Sequence, residues 1–127
     1  MTASQAEALV HNFGTVDAGD LDAALATMTD DVTFRFGSGD IARGKHGFIA
    51  SSVTLATAVA SMSHDLSTVL RSVDKLEPAV IAEMTVTYVR HDGSSVMLPC
   101  VNTFRFPDGL IADYRIYADI GPVFGPA

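Results

Sequence analysis

A chain of 127 residues, 48% of them hydrophobic, is long enough to bury a core of its own and reads as one domain over residues 1–127. Its formal charge of −7, with no block of Lys or Arg, argues against nucleic acid and an anionic membrane as partners and favours a small, largely apolar molecule. One cysteine permits neither an internal disulfide nor a zinc cluster, so Cys100 reads as a small hydrophobe.

The elements follow in chain order. Ser4 and Glu7 have the spacing of a capping box, and Ala6, Leu9, Val10, Phe13 and Val16 form a helical apolar stripe, which predicts a first helix to about Val16. Asp17-Ala18-Gly19-Asp20 breaks it, and Asp20 caps a second short helix through Leu21, Leu25 and Met28 that ends at Asp30-Asp31. Val32, Phe34 and Phe36 alternate with Thr33 and Arg35 as a strand, and Ile41-Ala42 form a minor one before Gly44. A third helix, poor in charge, spans Lys45 to about Ala60; its Ser, Thr and Ala content predicts packing on more than one side.

Only strands follow. Met62, His64, Leu66 and Leu70 share a face, so the histidine points inward, and Asp74-Lys75 marks a turn. Val80, Ala82, Met84, Val86 and Tyr88 then alternate with Glu83, Thr85 and Thr87. Asp92-Gly93 leads into a hairpin of two long strands, VMLPCVNTFRF and LIADYRIYADI, joined at Pro107-Asp108-Gly109. In its first strand Asn102 shares the apolar face of Val96, Leu98, Cys100, Phe104 and Phe106, and a carboxamide there needs a partner or a ligand. Helices followed by a run of strands predict an α+β fold, a curved, mostly antiparallel sheet wrapped around three helices with a pocket between the layers. The hydrophobic surplus points to that cavity and to an oligomer interface, and Arg35 and Glu83 fall on the outer sheet face. No signal-peptide pattern and no bilayer-length apolar segment is visible, so a cytoplasmic location is expected.

The stretches Val16-Asp17-Ala18-Gly19-Asp20-Leu21-Asp22, Met28 to Phe34, and Asp108-Gly109-Leu110-Ile111 to Asp119 resemble the nuclear transport factor two-like superfamily, and within it the SnoaL-like polyketide cyclases and ketosteroid isomerases. The resemblance covers nearly the whole chain and implies a cone-shaped fold that hosts isomerases, dehydratases, hydrolases, cyclases and pure binding modules. It places Asn102 where the isomerases carry an oxyanion-binding aspartate and scytalone dehydratase an asparagine, and His64 near that dehydratase's first-strand histidine. Asp119 falls where epoxide hydrolases and several cyclases keep an essential aspartate, although strict alternation puts it opposite Tyr114 and Ile116. The isomerase base falls at Phe36, its helix-one tyrosine near Asn12, and the epoxide hydrolase Arg and Asp pair near Glu83 and Thr85, so neither of those constellations is complete.

The expected site therefore combines His64, Asp119 and Asn102 as catalytic groups with Tyr88, Phe34, Phe36, Met84, Phe104 and Tyr117 around a ligand. A His–Asp pair is a usable acid–base unit and an asparagine steadies charge on oxygen. Each has a structural alternative: a core histidine bonded to backbone, an Asp119–Arg115 ion pair, and a purely structural hydrogen bond from Asn102. His11, His46 and His91 read as surface residues. No metal-ligand spacing and no glycine-rich phosphate loop occurs, so neither metal nor cofactor is expected. The function expected is cofactor-free isomerisation, dehydration, cyclisation or hydrolysis of a carbonyl or hydroxyl compound, with a non-catalytic ligand-binding or dimerisation module as the alternative.

Overall fold

The computed structural model describes residues 3–72 and 79–125, with side chains from Leu9 onward; the side chains of the Ser4–Glu7 box and the Asp74-Lys75 turn lie outside what is described. Helix α1 (Ala3–Asp17) buries Leu9 and Phe13, while Val10, expected on the same stripe, is 60% exposed. The backbone turns at Gly19, which takes a positive φ, and the Asp20 carboxylate accepts from the Ala23 N–H to start α2 (Leu21–Leu25). That helix ends before Met28, which opens β1 (Met28–Phe36) instead of extending α2. Met28 lies opposite Ile111 in the sheet and is 1% exposed, so its burial is on a strand; Asp30 and Asp31 then fall inside β1 on an exposed, irregular stretch.

Strand β2 (Ala42–Arg43) is short, and α3 (Gly44–Ala58) follows it. Only Phe48 of α3 is buried; Val53, Thr54, Ala56 and Thr57 are exposed, so this helix packs on one side and not on several. Four strands follow: β3 (Val59–Arg71), β4 (Val80–Arg90), β5 (Ser95–Arg105) and β6 (Ile111–Tyr117). The sheet order is β2-β1-β6-β5-β4-β3, antiparallel except where β1 runs parallel to β6. A fourth helix, α4 (Gly121–Phe124), which the sequence did not predict, is anchored by Val123 at 1% exposure and by a hydrogen bond from Arg90 Nη2 to the Pro122 carbonyl.

Period-two patterning set the inner face. All five even positions of β4 from Val80 to Tyr88 are buried, as are Leu98, Cys100, Asn102 and Phe104 of β5, and the Val, Leu, Met and Phe side chains among them contribute about 1.5–3 kcal/mol each. The pairing of β3 with β4 is interrupted twice, between Val59 and Ser61 and again farther along the strand. The register shifts between Leu66 and Thr68, so Val69 faces Ala82 in the core and Leu70 is 48% exposed, reversing its expected inward position. Helix α1 covers one end of the inner face: Phe13 packs edge-on against Phe104 at 5.7 Å, and Phe104 stands 4.4 Å from Tyr114. The other end stays open between α2, α3 and the sheet. No helix among the described residues is long and apolar enough to cross a membrane.

Candidate active site

The open end is a cavity of about 490 Å³ walled by the end of α1, α2, one side of α3 and inner-face residues of β1, β3, β4 and β6. Its lining is mainly apolar, with Phe34, Phe36, Phe48, Met62, Tyr88, Tyr114 and Ile116 among it. Ser51, Ser52, Val53, Leu55 and Ala56 of α3 line this space, which accounts for the helix's lack of charge there.

His64 lies on this wall, as expected, but its partner is Asp17. Nδ1 of His64 stands 2.6 Å from Asp17 Oδ1, and the His64 backbone N–H donates to Asp17 Oδ2 at 3.0 Å. A carboxylate only accepts, so Nδ1 carries a proton, and in the neutral imidazole Nε2 is then the acceptor; no described residue bonds to Nε2. The His64 side chain is 6% exposed and that of Asp17 26%. Phe13 packs against the imidazole with ring centroids 4.7 Å apart, which fixes the ring's plane.

Two features of the fold bring Asp17 to this bond. Asp17 is the last residue of α1, where the helix dipole disfavours a negative charge, so the carboxylate needs donors from elsewhere. β3 is the free edge of the sheet, and its outward N–H groups need acceptors. One side chain satisfies both requirements. Asp17 was not among the expected site residues, although it belongs to the stretch that carries the family resemblance, and an acidic residue closing a helix is the signal that would have marked it.

Asp119 does not reach the cavity. β6 ends at Tyr117, and Asp119 is exposed two residues later, where Oδ1 accepts from the Gly121 N–H at 3.2 Å at the start of α4. Strict alternation, which put it opposite Tyr114 and Ile116, was the better guide. Nor does it pair with Arg115, whose guanidinium bonds Asp113 at 3.1 Å; Asp113 also accepts from the Thr33 hydroxyl at 2.6 Å. The guanidinium's own proton is held more tightly by that bond.

Asn102 is inward and 0% exposed, yet it lies behind the wall. Its Nδ2 donates to Tyr114 Oη at 3.5 Å and its Oδ1 accepts from the Cys100 thiol at 3.1 Å, so it reaches the cavity only through Tyr114, which does line it. Burial pushes the Cys100 thiol up to about 11 and holds the phenols of Tyr88 and Tyr114 well above the ordinary tyrosine value, with Cys100 adding to both. These groups are neutral near pH 7 and so each keeps a proton to donate.

Of the expected ligand contacts, Tyr88, Phe34 and Phe36 line the cavity. Met84 and Phe104 do not: both are core residues, Phe104 sealed beneath Phe13 of α1. Tyr117 lies on the outer sheet face beside Val101 and is 53% exposed. Phe124 of α4 packs edge-on against Phe36 at 6.3 Å, at the cavity margin. His11 and His46 are exposed; His91 is exposed too, but its Nε2 donates to the Ala56 carbonyl of α3 at 2.7 Å. Among the described residues no group of three or more His, Cys, Asp or Glu side chains is placed to hold a metal ion.

The family model of the SnoaL-like domain matches residues 7–114. No curated protein matches the sequence. A nuclear transport factor two-like protein of unknown function from Burkholderia pseudomallei superposes with a TM-score of 0.85 at 17% identity, covering 98% of this chain and 100% of that one. TerC, crystallised with polyporic acid, gives 0.81 at 17% identity over 94% and 95% of the two chains. A candidate polyketide cyclase from Pseudomonas putida gives 0.69 at 22% identity over 98% and 96%. Identities this low establish the nuclear transport factor two-like fold and leave the chemistry to the residues themselves.

Proposed function

This chain belongs to the SnoaL-like domain family, and we propose that it binds a small, largely apolar alicyclic or aromatic compound bearing a carbonyl or hydroxyl and moves a proton on it with the His64–Asp17 pair, without a cofactor. The observation that supports this most directly is the 2.6 Å bond from His64 Nδ1 to Asp17 at the cavity wall. Nε2 takes a proton from a C–H beside a carbonyl or from a hydroxyl, and the imidazolium that forms stays beside the Asp17 carboxylate. The Tyr88 or Tyr114 hydroxyl donates to the ligand oxygen on which charge develops. Asn102 then acts as a positioning residue for Tyr114. Isomerisation, dehydration by elimination and cyclisation can each begin with such a step, and in hydrolysis the same nitrogen takes the proton from the attacking water. The relative co-crystallised with polyporic acid agrees with an organic ligand.

The test starts with native mass spectrometry of the purified protein beside the denatured sample. A compound released on denaturation is returned to wild type, His64→Gln and Asp17→Asn. Turnover by wild type that falls by about 100-fold or more in His64→Gln supports the reading; equal turnover in all three ends it. A second reading, ligand retention without turnover, draws on the positions of Asp119 and Asn102 off the cavity wall, and predicts that the released compound returns unchanged from wild type. A cytoplasmic homodimer through the outer sheet face completes the reading, supported by Met97 at 70% exposure on that face. A monomer in sedimentation equilibrium would remove the dimer.

A further inference from the structure

The charges around the cavity are one-sided. Asp17 and Asp20 both line it, and no Lys or Arg does. Asp17 is engaged by His64, whereas Asp20 accepts only the Ala23 N–H at 3.1 Å and has no basic partner among the described residues. Five aromatic rings share the lining, and they meet edge to face: Phe34 against Phe48 at 79°, Phe34 against Tyr114 at 86°, Phe36 against Tyr88 at 65°. Rings so arranged lie in different planes, and any face left open to the cavity can receive an ammonium group. Tyr88 is 3% exposed, and its hydroxyl bonds to no described residue. That is an unpartnered polar group in the wall, independent of the carboxylates, and it marks the space as one built to be filled.

We propose that the cavity takes a cationic organic ligand, a ring-bearing molecule whose protonated or quaternary nitrogen sits against the aromatic rings and the Asp20 carboxylate, and that it refuses the same skeleton carrying a carboxylate. An anion entering here gives up its hydration, meets two carboxylates and finds no Lys or Arg in return. A cation gives up less, because the π faces and Asp20 replace part of its water shell. The proposal rests on the small-molecule reading above and narrows it to a charge class.

Three probes on one ring system test it by titration calorimetry with the full chain at low salt: (2-naphthylmethyl)trimethylammonium, 2-naphthalenemethanol and 2-naphthoate. The ammonium is expected to bind at least about tenfold more tightly than naphthoate, with the alcohol between them. Asp20→Asn keeps the helix cap, because the amide oxygen still accepts from the Ala23 N–H; it is expected to weaken the ammonium by about threefold and leave the alcohol unchanged. Naphthoate binding as tightly as the ammonium, or an ammonium affinity unmoved by Asp20→Asn, overturns the proposal. Alcohol binding without charge preference would overturn it and leave the small-molecule reading standing. Absence of binding by all three would overturn both.

Discussion

Asp17→Ala removes two hydrogen bonds at once, one from the His64 imidazole and one from the His64 backbone N–H, at 2.6 and 3.0 Å. Bonds to an ionised group contribute about 1.5–3 kcal/mol each when well buried. The Asp17 side chain is 26% exposed, so the low end applies, and the two together are worth about 2–3 kcal/mol. With an unfolding entropy of about 2.1 cal/mol/K per residue, a chain of 127 residues loses about 7–11 °C in Tm for that change. His64→Ala removes the imidazole bond and the ring contact with Phe13 but keeps the backbone bond to Asp17. A cycle of wild type, Asp17→Ala, His64→Ala and the double variant therefore isolates the imidazole–carboxylate bond, with an expected coupling of about 1.5–2 kcal/mol. Urea unfolding followed by far-UV circular dichroism measures it. A coupling below about 0.5 kcal/mol would refute the claim that this bond holds the imidazole in place.

Two further predictions concern the scaffold. The neutral Cys100 thiol is favoured in the fold, so its contribution is complete below pH 9.0, the ordinary value, and is lost as pH rises toward about 11. Stability measured by urea unfolding should fall more steeply with pH above 9.0 in wild type than in Cys100→Ala, and parallel curves would contradict the assignment. Gly37 and Gly109 both have positive φ, but an added Cβ at Gly37 meets the Ile120 side chain at 2.8 Å while at Gly109 it meets open space. Thermal melts should show Gly37→Ala less stable than Gly109→Ala by about 1 kcal/mol or more, the overpacking cost added to a shared backbone cost; equal losses would show that Ile120 moves aside freely.

The sequence by itself determined which faces of β4 and β5 are buried, the turns at Asp92-Gly93 and Pro107-Asp108-Gly109, the Asp20 cap, the inward direction of His64 and the family. All of these rest on near neighbours: side chains alternate along a strand, a turn needs residues of particular backbone freedom, and a cap reaches three residues ahead. Tertiary structure decided the partners. Asp17 and His64 are 47 residues apart, and what joins them is the helix end and the sheet edge meeting in space. The shift near Ser67, which reverses Leu70, leaves no mark in an alternating pattern because it adds one residue to one strand alone. Asn102 has the right side chain on the right face, but the rings of Phe104 and Tyr114 and the helix above them set where the core ends and the cavity begins. Periodicity tells a side chain which way to point; only the packing of distant segments decides what it meets there.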